Sequence, residues 1–196
     1  MRQEFSEMKK VLLMVAVATM TAVSVNAQSS VQVGYLLNTH KSKVAGVKSS
    51  DSYSGFMASA DYNVSLTGNL SVAPGLGISY SFDNSDGAKY KELGLFVPVD
   101  VNYRFPVSDG FSLSVFAGPT LYYGLISKDT ATSPSYNYYD NDSRRFNLIL
   151  GGGVWCDIKE TIRVKAGYKF GLTNTSKTDG VTEKNNCLYL SVGYLF

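Results

Sequence analysis

Apolar and non-apolar side chains alternate at every second position over much of the chain, and this pattern limits what the chain can fold into. The clearest example is the last stretch, CLYLSVGYLF, where Leu188, Leu190, Val192, Tyr194 and Phe196 share one parity. Successive side chains of a β-strand point to opposite faces, so these five residues lie on one face. The pattern predicts a protein built from strands that each have one apolar face.

Eight such alternating segments can be delimited, at 30–38, 55–66, 69–82, 90–105, 111–124, 145–158, 162–174 and 185–196. Long polar connections at 39–54, 83–89, 125–144 and 175–184 alternate with short turns at 67–68, 106–110 and 159–161. Tight turns at one end and long loops at the other are typical of an outer-membrane barrel. The last segment is expected to pair with the first, because only that pairing removes both sheet edges.

The two faces of these segments separate a membrane barrel from a soluble one. On one face Leu, Val and Ala fill the middles and aromatic residues cluster toward the ends, as in a lipid-facing band with aromatic girdles. The other face carries twelve glycines between Gly34 and Gly193. Strand glycines are unfavourable unless crowding requires them, and the lumen of a small barrel is crowded. We predict an all-β, eight-stranded antiparallel up-and-down transmembrane β-barrel.

The charged residues on the glycine-bearing face are balanced. Four acids are matched by four bases, namely Asp61, Glu92, Asp100, Asp157, Arg104, Arg163, Lys165 and Lys169. An enclosed lumen needs such a balance because an unpaired buried charge is strongly unfavourable. We interpret the eight residues as a charge network that plugs the lumen. A narrow pore is the alternative, although aqueous channels belong to wider barrels.

The turn after the sixth segment allows one strand register to be predicted. Residues equidistant from its centre face each other, so Asp157 opposes Arg163, and Trp155 opposes Lys165 with a cation–π contact. A β-bulge in the run of glycines before Trp155 would instead turn the indole toward lipid.

The long connections carry the candidate recognition residues, which are Lys41, Lys43 and Lys48 in the first and Tyr136, Tyr138 and Tyr139 in the third. Lysines attract the phosphates of lipopolysaccharide, and tyrosines among small polar residues form an adaptable recognition surface. The same composition also describes solvated, variable loops. The predicted role is structural or one of surface interaction, with lipopolysaccharide or an external ligand as partner.

The amino-terminal region predicts export. The basic pair Lys9-Lys10 precedes an apolar run of thirteen residues and a small-residue cleavage site that ends at Ala27. Thirteen residues are too few to span a bilayer as a helix. The expected organisation is a signal peptide at 1–27, cleaved after Ala27, and a barrel domain at 28–196.

The carboxy-terminal strand ends on Tyr194 and Phe196, and a strand that closes a barrel in lipid cannot fray. This ending, the strand count and the alternation of loops resemble the small outer-membrane β-barrel family of Gram-negative bacteria, the OmpA/OmpX-like porin family. The resemblance implies an outer-membrane location, insertion by the barrel-assembly machinery, and an assembly-signal role for these two aromatic residues. It implies no biochemical activity. A secreted lipocalin-like barrel is the alternative on fold.

Few residues offer chemistry. The net charge of +2 gives no support for nucleic-acid binding. One histidine and two cysteines, Cys156 and Cys187, predicted as free thiols on opposite faces, make no metal set. Some small outer-membrane enzymes that modify lipid A use a His with Ser or Asp at the rim, and His40, Ser85 and Asp86 would be those residues here. No motif links them, so we predict no catalytic site, no metal and no cofactor.

Overall fold

The structure is a computed structural model, and it describes residues 27–83, 90–129 and 136–196. The strands are β1 (Ala27–Val44), β2 (Val47–Thr67), β3 (Leu70–Asp83), β4 (Tyr90–Ser108), β5 (Phe111–Asp129), β6 (Tyr136–Asn137), β7 (Phe146–Ile158), β8 (Ile162–Gly171) and β9 (Val181–Leu195). A single-turn helix, α1 (Tyr138–Asn141), follows β6. Across these described ranges, no helix is long and apolar enough to cross a bilayer.

Eight of the described strands form a closed antiparallel ring. The order around the ring is β1, β2, β3, β4, β5, β7, β8 and β9, and β9 pairs in turn with β1. The two residues of β6 pair only with the end of β5. A closed ring leaves no unpaired sheet edge, which a sheet needs in lipid. The predicted eight-stranded barrel and the pairing of its first and last strands are confirmed.

The predicted connection at 39–54 is wrong, because β1 and β2 continue as a long hairpin. Only Ala45 and Gly46 make its turn, with φ angles of 47° and 89°. Positive φ at both positions suits a two-residue hairpin whose strands keep their right-handed twist. Strands β5 and β9 also run further than predicted into their connections. Alternation misses these extensions because both faces of a strand outside the membrane meet water.

Large apolar side chains point outward on every strand of the ring. Exposed examples, one from each ring strand, are Val33, Phe56, Ile78, Val101, Val115, Leu150, Ile162 and Leu190. A soluble barrel would bury such residues, so a continuous outward apolar surface is the opposite of what water favours. It is the surface of a barrel that spans a lipid bilayer.

The inward face has glycines where aromatic rings need space. A Cβ atom on Gly94 would overlap the ring of Tyr122, and one on Gly124 would overlap the ring of Tyr139. These overlaps are the crowding that the glycine-rich face predicts, since the lumen of an eight-stranded barrel has room only for packed side chains.

The predicted register of β7 and β8 is confirmed. Asp157 lies opposite Arg163, and Trp155 lies opposite Lys165. Trp155 is 2% exposed and faces the lumen, so no bulge turns it toward lipid. Both cysteines are free thiols, as predicted.

Candidate functional site

The predicted charge network divides into groups at different heights in the lumen. We call the end with the β2–β3, β4–β5 and β7–β8 turns the short-turn end, and the opposite end the loop end. Because these groups lie at different heights, the acids and bases that the sequence places on one face do not form a single network. Each group has its own way of stabilising buried charge.

Arg163 is the centre of the group nearest the short-turn end. Its guanidinium donates to both carboxylate oxygens of Asp157, at 2.7 Å from Nε and 3.0 Å from Nη2. Its Nη1 lies 3.4 Å from Oδ2 of Asp61, which also accepts a hydrogen bond from Ser30 at 2.8 Å. The Trp155 ring lies 4.3 Å from the guanidinium. This bidentate, multiply bonded geometry is what a buried ion pair requires.

Lys165 and Asp100 form a second buried pair. Lys165 Nζ donates to Oδ2 of Asp100 at 2.8 Å. The ammonium also lies 4.1 Å from the centre of the Phe116 ring and 5.1 Å from that of Trp155. The predicted cation–π contact with Trp155 is therefore present.

A band of large side chains crosses the middle of the lumen. We call it the lumen cluster, and its buried members are Leu36, Met57, Phe96, Phe116, Trp155 and Tyr189. The rings of Phe116 and Trp155 stack at 5.3 Å. Sequence reasoning did not identify this cluster, although its members share the parity of the lumen glycines. The lumen is a packed interior at this height.

Lys169 does not have the counter-ion that the sequence predicts. It lies on the same face of β8 as Lys165, yet it forms no ion pair with a carboxylate in the described ranges. Its Nζ lies 4.5 Å from the centre of the Phe96 ring and 5.1 Å from that of Tyr189. The side chain also lines a cavity of about 60 Å³, which has room for water. Aromatic faces and this cavity take the place of a counter-ion.

Glu92 also lacks the predicted base and is surrounded by tyrosines. Its carboxylate accepts hydrogen bonds from Tyr122 at 2.7 Å, Tyr90 at 2.9 Å, Tyr53 at 3.4 Å and Tyr139. Glu92 is 5% exposed. Hydroxyl groups are neutral donors, so they satisfy the carboxylate oxygens without neutralising the charge. The shared parity of Tyr90 and Glu92 was the available sequence signal for this cluster.

Helix α1 covers the loop end of the lumen. Tyr139 reaches down from α1 to Glu92, and Lys177 Nζ donates to the Tyr139 carbonyl oxygen at 2.8 Å. Arg145 holds the same turn through Asp140 at 2.7 Å. Burial, and after it the charge of Glu92, raise the pKa of Tyr139, so the hydroxyl stays protonated at neutral pH. The prediction that Tyr139 belongs to an exposed recognition surface is wrong, because α1 buries it.

Arg104 lies at the rim rather than in the enclosed lumen. It pairs with Glu160 at 3.7 Å, and the two side chains are 42% and 71% exposed. Arg104 is close to the short-turn end of β4, where a long side chain reaches the neighbouring turn and water. The prediction that it balances a lumen acid is therefore wrong.

The other predicted recognition residues are spread over the loop end. Lys41, Lys43 and Lys48 are exposed on paired strands β1 and β2 instead of an irregular loop. Tyr138 is half-buried on α1, with its ring edge-to-face on Tyr90 at 5.9 Å. Only the backbone of Tyr136, in β6, is described.

Above Glu92 the lumen widens into a cavity of about 660 Å³ at the loop end, which we call the vestibule. His40 lines it and contacts Asn185, with 2.7 Å between Nδ1 and Oδ1. Its suggested partners Ser85 and Asp86 lie outside the described residues. Within the part of the chain that is described, no group of three or more His, Cys, Asp or Glu is placed to hold a metal.

The two predicted assembly-signal residues lie on the outside of the barrel at the short-turn end. Tyr194 and Phe196 are 56% and 69% exposed, and their rings stack at 6.4 Å. The backbone of Phe196 exchanges two hydrogen bonds with Ser29, both of 3.0 Å. The last residue is therefore held in the closing strand pair, while its role in assembly stays a prediction.

Comparison with known proteins gives a family and a fold. Residues 11–196 match the family model described as outer membrane protein beta-barrel domain. No curated protein sequence matches.

Several solved structures share the fold. Ail, the attachment invasion locus protein of Yersinia pestis, is 20% identical with a TM-score of 0.53, over 87% of this chain and 99% of that one. Neisserial surface protein A is 15% identical with a TM-score of 0.53, over 85% and 96%. A complex of Ail with the heparin analogue sucrose octasulfate is 19% identical with a TM-score of 0.50, over 87% and 99%.

At these identities the solved structures support the fold alone. The family model matches nearly the whole chain and shows the family. The closed ring of eight described strands and its outward apolar surface agree with that family. The protein belongs to the outer membrane protein beta-barrel domain family, and it is located in the outer membrane of Gram-negative bacteria.

Proposed function

We propose that this protein is a surface-interaction protein whose barrel supports a binding region at the loop end, on the outside of the cell. The observation that carries the proposal is the continuation of strands past the lipid-facing band. On β1 the band ends at Leu37, and the strand continues for seven residues to Val44. At about 3.3 Å per residue and a tilt of about 40°, this extension projects roughly 18 Å.

Charged residues on these extensions are sorted by face. The strand carboxylates that line the vestibule are Asp51, Asp83, Glu92, Asp129 and Glu183, and Asp142 lines it from the connection after α1. The lysines of the same strands have the other parity and are exposed on the outside, and they are Lys41, Lys43, Lys48, Lys91, Lys128 and Lys184. Solubility alone does not require such sorting, because both faces of the extension meet water. The sorting supports two different environments, one inside the vestibule and one around it.

An external ligand in the vestibule is part of this proposal. The vestibule has a volume of about 660 Å³, within the range of about 300–1,000 Å³ that is usual for small-molecule sites. Tyr53, Tyr90, Tyr122 and Tyr138 contribute to its wall and floor. The complex of Ail with sucrose octasulfate is a precedent for a ligand on a barrel of this fold.

The packed lumen favours interaction over conduction. The lumen cluster and the Arg163 group fill the barrel with side chains, and water-filled channels are a property of wider barrels. A rim enzyme has little support, because the described contact of His40 is with Asn185 rather than with a nucleophile or an acid. A signal peptide at 1–27, and an assembly signal at Tyr194 and Phe196 read by the barrel-assembly machinery, belong to the same proposal.

Shortening the β1–β2 hairpin tests the proposal. His40 lies opposite Asp51, so residues 41–50 can be replaced by Asn-Gly without changing the register below. We expect a folded barrel, seen by heat-shifted gel mobility, and at least a tenfold loss of adhesion or serum survival in the producing bacterium. The matched control, Lys159→Asn with Glu160→Gly, changes two turn residues of positive φ at the other end. Unchanged adhesion and survival in the shortened variant would contradict the proposal.

A further inference from the structure

The outward lysines of the loop end lie in directly opposed pairs. Lys41 faces Lys184 across β1 and β9, Lys43 faces Lys48 across β1 and β2, and Lys91 faces Lys128 across β4 and β5. Like charges that face each other across an antiparallel pair destabilise the sheet. Three such pairs lie at the loop end of one barrel, and negative charge from outside the protein would remove their repulsion.

The described residues do not supply that charge. In the described strand extensions, the outward positions next to these lysines hold no carboxylate, since the acids there face the vestibule. None of the six lysines makes an ion pair with a described carboxylate. The positive charge therefore faces outward, toward the membrane and the solution around the barrel.

Four of these lysines lie in the headgroup layer of the membrane or at its outer edge. Lys91 and Lys128 come two residues beyond the last outward apolar residues of their strands, Leu93 and Ile126. Lys41 and Lys184 come four residues beyond Leu37 and Leu188. With the rise and tilt used above, these spacings are about 5–10 Å along the barrel axis. The polar layer on each side of a bilayer is about 5–8 Å thick. Lys91 and Lys128 therefore lie within it, and Lys41 and Lys184 lie at its outer edge, from which a flexible lysine side chain reaches the headgroups.

The headgroup-level lysines form two separate sites. Strands β1 and β9 are adjacent, and β4 and β5 lie across the ring from them. Each site presents two ammonium groups from neighbouring strands, a spacing that suits one phosphate group between them. Lys43 and Lys48 lie above the first site, nearer the hairpin turn.

We infer that Lys41 with Lys184, and Lys91 with Lys128, bind the phosphate groups of lipid A in the outer leaflet. The inference rests on the proposed function, in that the loop end faces the cell exterior. A phosphate between two lysines removes their repulsion, and basic residues at this depth are attracted to anionic lipid headgroups. A soluble polyanion is less favoured, because outward side chains at headgroup height meet lipid before they meet solution.

The test compares paired substitutions in the full chain, folded in detergent micelles. K41Q/K184Q removes one site and K91Q/K128Q removes the other, while Lys159→Gln at the short-turn end removes one charge as a matched control. Binding of bisphosphorylated lipid A is measured by native mass spectrometry at low and high salt, with heat-shifted gel mobility as the folding check. A lysine near an anionic surface contributes about fivefold in affinity, so each pair is expected to contribute about 25-fold, and less at high salt.

The outcomes separate the possibilities. Lipid A without phosphates is expected to bind both sites of the wild-type barrel as weakly as bisphosphorylated lipid A binds the substituted site of each variant. Unchanged affinity in both paired variants, or an equal loss in Lys159→Gln, would overturn the inference. Loss of sucrose octasulfate binding with unchanged lipid A binding would assign the lysines to a soluble polyanion and also overturn it. Because the shortened hairpin keeps Lys91 and Lys128, its failure to alter adhesion would count against the proposed function alone.

Discussion

The two halves of the lumen stabilise buried charge in different ways. Toward the short-turn end, Arg163 and Lys165 each contact a carboxylate of opposite charge. Toward the loop end, Glu92 is held by tyrosine hydroxyls and Lys169 by aromatic rings, and neither has an opposite charge in direct contact among the described residues. One half therefore depends on ion pairs, and the other on neutral groups.

This difference determines what a substitution leaves behind. Removing one partner of a buried ion pair leaves an uncompensated charge in a medium of low dielectric constant. Removing an ion that has only neutral neighbours leaves those neighbours able to hydrogen-bond to water or to each other. Substitutions of similar size should therefore have unequal effects in the two halves.

The largest effect is expected for Arg163→Met. The substitution leaves Asp61 and Asp157 buried without their shared cation, which should lower the free energy of unfolding by about 3–5 kcal/mol. The measurement is urea unfolding in lipid vesicles, followed by heat-shifted gel mobility.

Arg104→Met is the matched control for that measurement. Its pair with Glu160 is exposed at the rim, and such pairs contribute less than about 1 kcal/mol. Equal losses in the two variants would show that the buried position of Arg163 is unimportant, and the comparison between the halves would fail.

A smaller effect is expected for Glu92→Gln. The amide keeps one acceptor oxygen for Tyr122 and Tyr139, and its nitrogen can donate to a tyrosine oxygen, so we expect a loss of about 1 kcal/mol. Asp157→Asn is the same chemical change beside Arg163, where it leaves the guanidinium without its main counter-charge. It should lower the free energy of unfolding by about 3 kcal/mol. Equivalent unfolding curves for the two variants would remove the distinction between ion-paired and tyrosine-held acids.

The short-turn half was largely predictable from the sequence. Alternation gave the ring, and the turn after β7 gave the register that places Asp157 opposite Arg163. Both follow from local rules, because a tight turn fixes the pairing of the residues nearest to it. The Asp61 contact depends on the closed ring, which the even strand count already required.

The loop half was less predictable, for two physical reasons. Parity gives the face of a residue but not its height, so Glu92 and Lys169 were matched with bases and acids that lie elsewhere in the lumen. Tyr139 reaches Glu92 from α1, a segment whose polar sequence has no strand period. Contacts made by a folded connection leave no periodic trace in the sequence.

The smallest effect, and the sharpest test, is expected for Lys169→Met. Lys165 and Lys169 lie four residues apart on one face of β8, so Lys165→Met is the same change at a neighbouring position. Lys165→Met leaves Asp100 buried without its cation and should lower the free energy of unfolding by about 3 kcal/mol. Lys169→Met keeps the aromatic contacts, so its free energy of unfolding should stay within about 1 kcal/mol of the wild type. The chain has a single tryptophan, Trp155, so its fluorescence during urea unfolding reports both variants. A loss at Lys169 as large as that at Lys165 would mean that the loop half also depends on a direct counter-charge.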